Sequence, residues 1–174
     1  MIASQTQSLI EDIKNCINQC SNYVDENNIF GDYQWTQTIK AFLGRLGSTK
    51  GYRICASGAE ESFESEWLYD LVWFKENEKG YLIEVPLVVE SEWKQNLKDI
   101  KFDFEKLLVS KSPLKLMICN CKESTKASTL NYFQESINAC PFVNTEEKFL
   151  IAILDLVGSD ANGFTFHQLS KTIS

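Results

Sequence analysis

Two apolar segments joined by a short polar turn constrain the fold of this chain more than any other feature. The segments WLYDLVWF (67–74) and YLIEVPLVV (81–89) are rich in aromatic and β-branched residues, which favour strands. The intervening ENEKG (76–80) consists of turn residues, so the two segments predict a β-hairpin. Pro86 has no backbone N–H, and it predicts an edge, a bend or a bulge in the second strand.

Apolar residues recur at helical spacing before and after this hairpin. A first helix is predicted to begin near Ser8, because Ser8 and Glu11 match a capping box. Further helices are predicted over 36–46, 95–111 and 124–139, and strands over 52–56, 66–74, 81–92, 114–120, 148–157 and 164–169. Three consecutive strands, a helical crossover and another strand predict an α/β fold in which helices flank a mixed sheet. The length suits a single domain over 1–174, with the last two strands as a terminal hairpin.

The chain contains no stretch of ~18 apolar residues, the length that a membrane-spanning helix needs. Its N-terminal sequence, MIASQTQSLIEDIKNC, lacks the basic region and apolar block of a secretory signal. We therefore expect a cytoplasmic protein that does not associate with membranes. In that compartment the six cysteines are expected to be reduced thiols without disulfides.

The negative charge of the chain is unevenly distributed. The net charge is −7 at pH 7 and the pI is about 4.8. This charge disfavours general binding to nucleic acid, because basic residues must neutralise phosphates. Residues 33–59 contain no acid, and the segment EESFESE (60–66) then supplies four carboxylates. This acidic segment is a candidate contact for a basic protein partner.

Three carboxylates lie in or beside the predicted hairpin. Asp70 falls inside the first strand, while Glu90 and Glu92 lie at the end of the second. Residues two apart in a strand face the same side, so the two glutamates are expected to project together, and a bend at Pro86 lets Asp70 approach them. Crowded carboxylates repel unless a positive group intervenes, and a hard cation such as Mg²⁺ takes oxygen ligands. The alternative is that the glutamates are solvated and that Asp70 faces water or pairs with a basic residue.

The order of these elements and carboxylates resembles the PD-(D/E)xK nuclease superfamily, which has the restriction-endonuclease-like fold. The resemblance covers about residues 34–121, and the N-terminal helix and C-terminal hairpin are additions to that core. Asp70 matches the aspartate of the second core strand, and Glu90 and Glu92 occupy the D/E-x-K position of the third. The resemblance implies that Asp70 and Glu90 bind Mg²⁺ or Mn²⁺, with Glu92 as a further ligand or as a base.

The motif departs from the family pattern at two positions. Tyr69 stands where the family has proline, and Glu92 stands where it has lysine. Some members carry glutamate at the lysine position, and others take a lysine from the following helix, for which Lys94 and Lys98 are candidates here. The resemblance therefore implies a metal-dependent nuclease, in which the metal ion holds the phosphate and acidifies the attacking water. Its substrate would be nucleic acid of a type that the motif does not specify.

A second function fits the same acidic chain. A non-catalytic member of this fold can act as a protein-binding module, or as an acidic inhibitor that mimics nucleic acid toward a basic partner. Convergence of the three carboxylates around a cleft favours the nuclease, and divergence favours the binding module. Lys94, Lys98 and Lys101 are expected to form a solvated face with the alternative of phosphate contacts. Trp67 is expected in the core or at its rim rather than in a base-stacking platform.

Overall fold

The computed structural model describes residues 2–58, 64–157 and 161–172. Within these ranges the helices are α1 (Ile2–Glu26), α2 (Asp32–Thr49), α3 (Leu97–Val109) and α4 (Glu123–Ala139). The strands are β1 (Arg53–Cys55), β2 (Leu71–Glu76), β3 (Leu82–Glu92), β4 (Leu114–Asn120), β5 (Lys148–Val157) and β6 (Ala161–Leu169).

The described strands form a single mixed sheet in the order β1-β2-β3-β4-β5-β6. β2 is antiparallel to both β1 and β3, whereas β3, β4 and β5 run parallel and β6 returns antiparallel to β5. Parallel neighbours need a crossover, which α3 supplies between β3 and β4 and α4 supplies between β4 and β5. The predicted α/β class, a mixed sheet with flanking helices and a C-terminal hairpin, is confirmed.

The sheet buries side chains on both faces. One core packs against α1 and α2 and contains Val89 of β3, and the other packs against α3 and α4 and contains Val88. Successive strand residues alternate between the faces, so Glu90 lies on the α3 side and Ser91 on the α2 side. A contact of 3.4 Å between Ser91 Oγ and Thr36 Oγ1 of α2 shows this alternation directly.

β3 is irregular at Pro86. Trp73 of β2 pairs with Leu87 and Lys75 pairs with Glu84, so three steps along β3 oppose two steps along β2. This arrangement is a β-bulge, and it confirms the irregularity that the proline predicts. β4 pairs with β3 only from Leu87 onward, so Pro86 lies just before the part of β3 that is paired along both edges.

The start of β2 differs from the sequence prediction. The strand begins at Leu71 rather than at residue 66, so the prediction that Asp70 lies inside a strand is wrong. The backbone N–H and the hydroxyl of Ser91 both donate to Asp70 Oδ2. These bonds hold the aspartate across the end of β3, one residue before β2 begins.

The N-terminal helix starts earlier than predicted. α1 begins at Ile2, so Ser8 and Glu11 lie within the helix and the predicted capping box is wrong. The residues before Ser8 include neither glycine nor proline, and nothing in them interrupts a helix. None of the described helices, α1 included, is long and apolar enough to cross a membrane.

Candidate functional site

Glu90 lies near the C-terminal end of β3, beneath α3, and only 1% of the residue is exposed. Its Oε2 accepts a hydrogen bond from Lys106 Nζ at 2.7 Å, whereas Oε1 is buried without a hydrogen-bond partner among the described residues. Burial raises the pKa of Glu90 to about 8; the carboxylates of Asp70 and Asp103 also raise it, and Lys106 opposes them. Glu90 therefore favours its protonated form at neutral pH unless a further positive charge binds beside it.

The lysine that contacts Glu90 comes from α3. The side chain of Asn96 caps this helix by accepting the backbone N–H of Asp99 at 3.0 Å. Two turns later, Lys106 Nζ lies 2.7 Å from Glu90 Oε2 and 3.0 Å from Asp103 Oδ1. Burial opposes the charge of Lys106, but its hydrogen bonds to the two carboxylates raise its pKa. Lys106 therefore remains an ammonium ion, held between β3 and α3.

Asp70 reaches the same end of β3 from the bend that precedes β2. Its Oδ2 accepts the backbone N–H of Ser91 at 2.8 Å and the Ser91 hydroxyl at 2.7 Å. Its Oδ1 lies 3.7 Å from Nζ of Lys40, a buried lysine of α2 that also bonds Glu66 at 3.0 Å. Asp70 therefore bonds groups on the α2 side of the sheet, whereas Glu90 lies on the α3 side, although Asp70 is close enough to raise the pKa of Glu90. Its pairing with Lys40 is what the alternative interpretation expected.

Glu92 is on the α3 side of β3 but is held by its own chain segment. Its Oε1 accepts the backbone N–H of Lys94 at 2.8 Å. Burial raises the pKa of Glu92, and Asp103 of α3 acts in the same direction, as it does on Glu90. This shared neighbour agrees with the expectation that the two glutamates face one side. Glu92 is half-buried, so it can exchange protons with water more readily than Glu90 can.

Lys94 and Lys98 do not contact Glu90 in this arrangement. Lys94 Nζ lies 3.3 Å from Asp99 Oδ2, with its side chain 67% exposed, and Lys98 is exposed on the first turn of α3. The lysine from the following helix is instead Lys106, two turns beyond Lys98. Neither of the two lysines expected from the sequence contacts Glu90 among the described residues, and Lys106 is the residue of this helix that does.

Sequence reasoning missed Lys106 and Lys40. Lys106 had a detectable signal, since Asp99, Asp103 and Lys106 are spaced four and three residues apart and therefore share one side of a helix. That side adjoins the apolar stripe, and Lys106 reaches Glu90 of the sheet from it. Lys40 had no such signal, because its contact with Asp70 depends on how α2 packs against the opposite face of the sheet.

The chemistry of these donors fits a hard divalent cation, which takes carboxylate oxygens and keeps some of its waters. However, the described residues contain no group of three or more His, Cys, Asp or Glu side chains arranged to hold a metal ion. One carboxylate oxygen of Asp70 and one of Glu92 each accept a hydrogen bond from a backbone N–H group. Glu90 Oε1 is the carboxylate oxygen of the cluster that is buried without a hydrogen-bond partner among the described residues.

Comparisons of the chain with families of proteins, with curated proteins and with solved structures find no match. What the protein does must therefore be inferred from the geometry around Glu90.

Proposed function

We propose that this protein is a nuclease that depends on Mg²⁺ or Mn²⁺ and hydrolyses phosphodiester bonds at the cluster of Asp70, Glu90 and Lys106. One observation carries the proposal: Glu90 is buried, one of its oxygens is held by Lys106, and the other has no partner beside a second carboxylate. The strand arrangement, with Asp70 before β2 and Glu90 on β3, supports it through the resemblance to PD-(D/E)xK nucleases.

The energetic cost of Glu90 is the reason to infer a cation. A buried polar group without a partner costs about 1–3 kcal/mol, and an ionised carboxylate costs more unless an opposite charge compensates it. Lys106 compensates part of the cost, but it is shared with Asp103. A divalent cation at Oε1 would offset the remaining cost of burying the ionised carboxylate and would allow Glu90 to release its proton.

The side chains divide the work of hydrolysis under this proposal. Glu90 and Asp70 would hold the cation, which would supply a ligand site for a phosphate oxygen and a water of lowered pKa. Lys106 holds Glu90 in place and presents positive charge to the substrate. Glu92, half-buried and with a raised pKa, accepts the proton of the attacking water.

A cytoplasmic location belongs to the same proposal, since all six thiols are free.

The binding-module function has less support from the geometry. Glu60 and Glu61, half of its acidic segment, lie outside the described residues. The other half is already neutralised, because Glu64 pairs with Arg53 and Glu66 with Lys40. The nuclease is therefore the function that the described residues support best.

Metal titration and cleavage assays test the proposal together. We expect millimolar Mg²⁺ or Mn²⁺ to raise the melting temperature of the wild type and to permit cleavage of nucleic acid, because the cation binds the folded state. Glu90→Gln and Asp70→Asn should each lose both effects while remaining folded. Glu78→Gln, an exposed glutamate in the β2–β3 turn, is the matched control and should retain both. The nuclease proposal is refuted if neither ion changes the melting temperature of the wild type and the protein cleaves neither single-stranded nor double-stranded nucleic acid.

A further inference from the structure

The surface beside the proposed site exposes large apolar side chains. Phe102 of α3 is 68% exposed, and Trp67 and Leu68, just before Asp70, are 50% and 61% exposed. Exposure of large aromatic side chains to water is unfavourable, and a ligand that stacks on the rings removes that exposure. These residues lie on two sides of the cluster, with α3 on one side and segment 67–70 on the other.

The geometry connects both sides to Lys106. Phe102 precedes Lys106 by one helical turn, and the ammonium lies 5.8 Å from the centre of the Phe102 ring. Segment 67–70 reaches the same turn of α3, where the hydroxyl of Tyr69 donates to Lys106 O at 3.5 Å. The ring of Trp67 packs against the ring of Phe74 of β2, with 5.0 Å between the ring centres. Phe102 therefore lies one turn before Lys106, and Tyr69, two residues after Trp67, reaches the same turn of α3.

The outer surface of α3 has unpaired positive charge around Phe102. Lys98 and Lys101 line an open depression with Phe102, and neither forms an ion pair within the described residues. Of the acids that also line the depression, Asp99 pairs with Lys94, whereas Glu105 accepts the neutral hydroxyl of Tyr132 at 3.0 Å and keeps its negative charge. Lys101 lies over the Tyr132 ring, which leaves its charge available to an anion. Two lysines and one exposed ring fit a chain of phosphates and bases.

We infer that this surface binds single-stranded nucleic acid, with bases stacked on Phe102 and Trp67 and phosphates near Lys98 and Lys101, and leads it to the proposed site; the inference rests on the proposed function. A duplex hides the faces of its bases and is bound mainly by neutralising phosphates, which a chain of net charge −7 with two available lysines does poorly. A single strand offers its base faces to aromatic residues. Single strands of DNA and of RNA share this chemistry.

Fluorescence anisotropy in EDTA tests the inference without requiring cleavage. The probes are a labelled single strand of about twelve nucleotides, as DNA and as RNA, and the blunt DNA duplex of the same sequence. We expect the wild type to bind at least one single strand about tenfold more tightly than the duplex. Phe102→Leu and Trp67→Leu should each weaken single-strand binding by roughly fivefold or more, because they keep apolar bulk but remove the stacking ring.

Matched controls separate stacking from general effects. Phe142→Leu alters an aromatic residue that is 64% exposed in the α4–β5 connection, and it should bind like the wild type. The double variant Lys98→Gln, Lys101→Gln should make the slope of log affinity against log salt shallower by about 1.4 for a single strand. Equal or tighter duplex binding, no single-strand binding, or unchanged binding by Phe102→Leu would each overturn the inference.

The outcome for the nuclease is read separately, by adding Mg²⁺ or Mn²⁺ to the same oligonucleotides. Cleavage of duplex without single-strand binding overturns the inference and leaves the nuclease intact. Single-strand binding with the expected variant effects but without cleavage supports the binding surface and counts against the nuclease.

Discussion

At the residue scale, Glu90 places an ionisable group where ionisation is unfavourable. Its pKa of about 8 in the folded protein compares with an ordinary value of 4.5, and burial is the main cause. As the pH rises through this window, the unfolded chain releases the proton first, so the free energy of unfolding falls. The free energy of unfolding begins to fall above pH 4.5, the pKa of Glu90 in the unfolded chain, and stops falling above about pH 8, its pKa in the folded protein.

Glu90→Gln should remove this pH dependence in metal-free protein. The amide has nearly the same shape and can still accept from Lys106, but it never ionises. We expect the wild type to lose more stability than the variant between pH 4.5 and about 8. Urea unfolding at several pH values in EDTA measures the difference, with Glu78→Gln as the control. Parallel curves for wild type and Glu90→Gln would show that Glu90 ionises normally.

Lys106→Met should destabilise the protein, because it leaves Glu90 without its hydrogen-bond donor and removes the partner of Asp103. The expected loss at neutral pH is about 1–3 kcal/mol, limited because Glu90 can take up a proton. Lys98→Met makes the same chemical change at an exposed position of α3 and should stay within about 0.5 kcal/mol of the wild type. Equal effects of the two substitutions in urea unfolding would contradict a special role for Lys106.

At the element scale, the packing of α2 on the sheet depends on a close approach. The sequence predicts that this helix ends near 46 with Gly47 at its end, but α2 continues to Thr49. Gly47 is inside the helix, where a β-carbon would lie 2.6 Å from Ile54 Cδ1 and 2.6 Å from the ring of Trp73. The glycine is therefore needed for close packing on β1 and β2 rather than for helix termination.

Gly47→Ala tests that interpretation. Alanine is the better helix former by up to about 1 kcal/mol, so a solvent-exposed Gly47 would be stabilised by the change. The clash with Trp73, which is stacked on Tyr52 at 5.7 Å and cannot easily move, should reverse the sign. We expect a net loss of about 1–3 kcal/mol in urea unfolding. Ser48→Ala, the next residue and exposed, should be neutral or slightly stabilising.

At the scale of the whole molecule, the reactivity of the cysteine thiols measures how well the two cores exclude solvent. Five of the six thiols are buried, and Cys140 at the end of α4 is half-buried. Burial raises the pKa of Cys16 and of Cys20 to about 12 and that of Cys55 to about 11. Thiolates are the reactive form, so these buried thiols should react slowly in the folded protein.

Alkylation followed by mass spectrometry should therefore label Cys140 first in the native protein. After denaturation without reductant, six alkyl groups should add, because the thiols are free. Cys140→Ser is the control, and it should remove the fast native adduct and leave five after denaturation. Fewer than six adducts on the denatured wild type would reveal a disulfide, and fast native labelling of Cys16 or Cys20 would show that the α1 core opens.

Most of the architecture follows from patterns along the chain. Periodicity and turn chemistry predict the hairpin of β2 and β3, the crossover helix, the parallel β4 and the terminal hairpin, because each depends on neighbours along the chain. Part of the site was also readable, since the two-residue spacing of Glu90 and Glu92 requires a shared face of one strand. Asp70 was placed in the right region but in the wrong element.

The groups that meet these carboxylates depend on how the helices pack on the sheet. Lys106 reaches Glu90 through the rotation of α3 on the sheet, and Lys40 reaches Asp70 from the opposite layer. The burial that raises the pKa of Glu90 likewise depends on α3 covering the end of β3. Such contacts join residues far apart in the chain through packing of whole side-chain layers, and no local pattern records that packing.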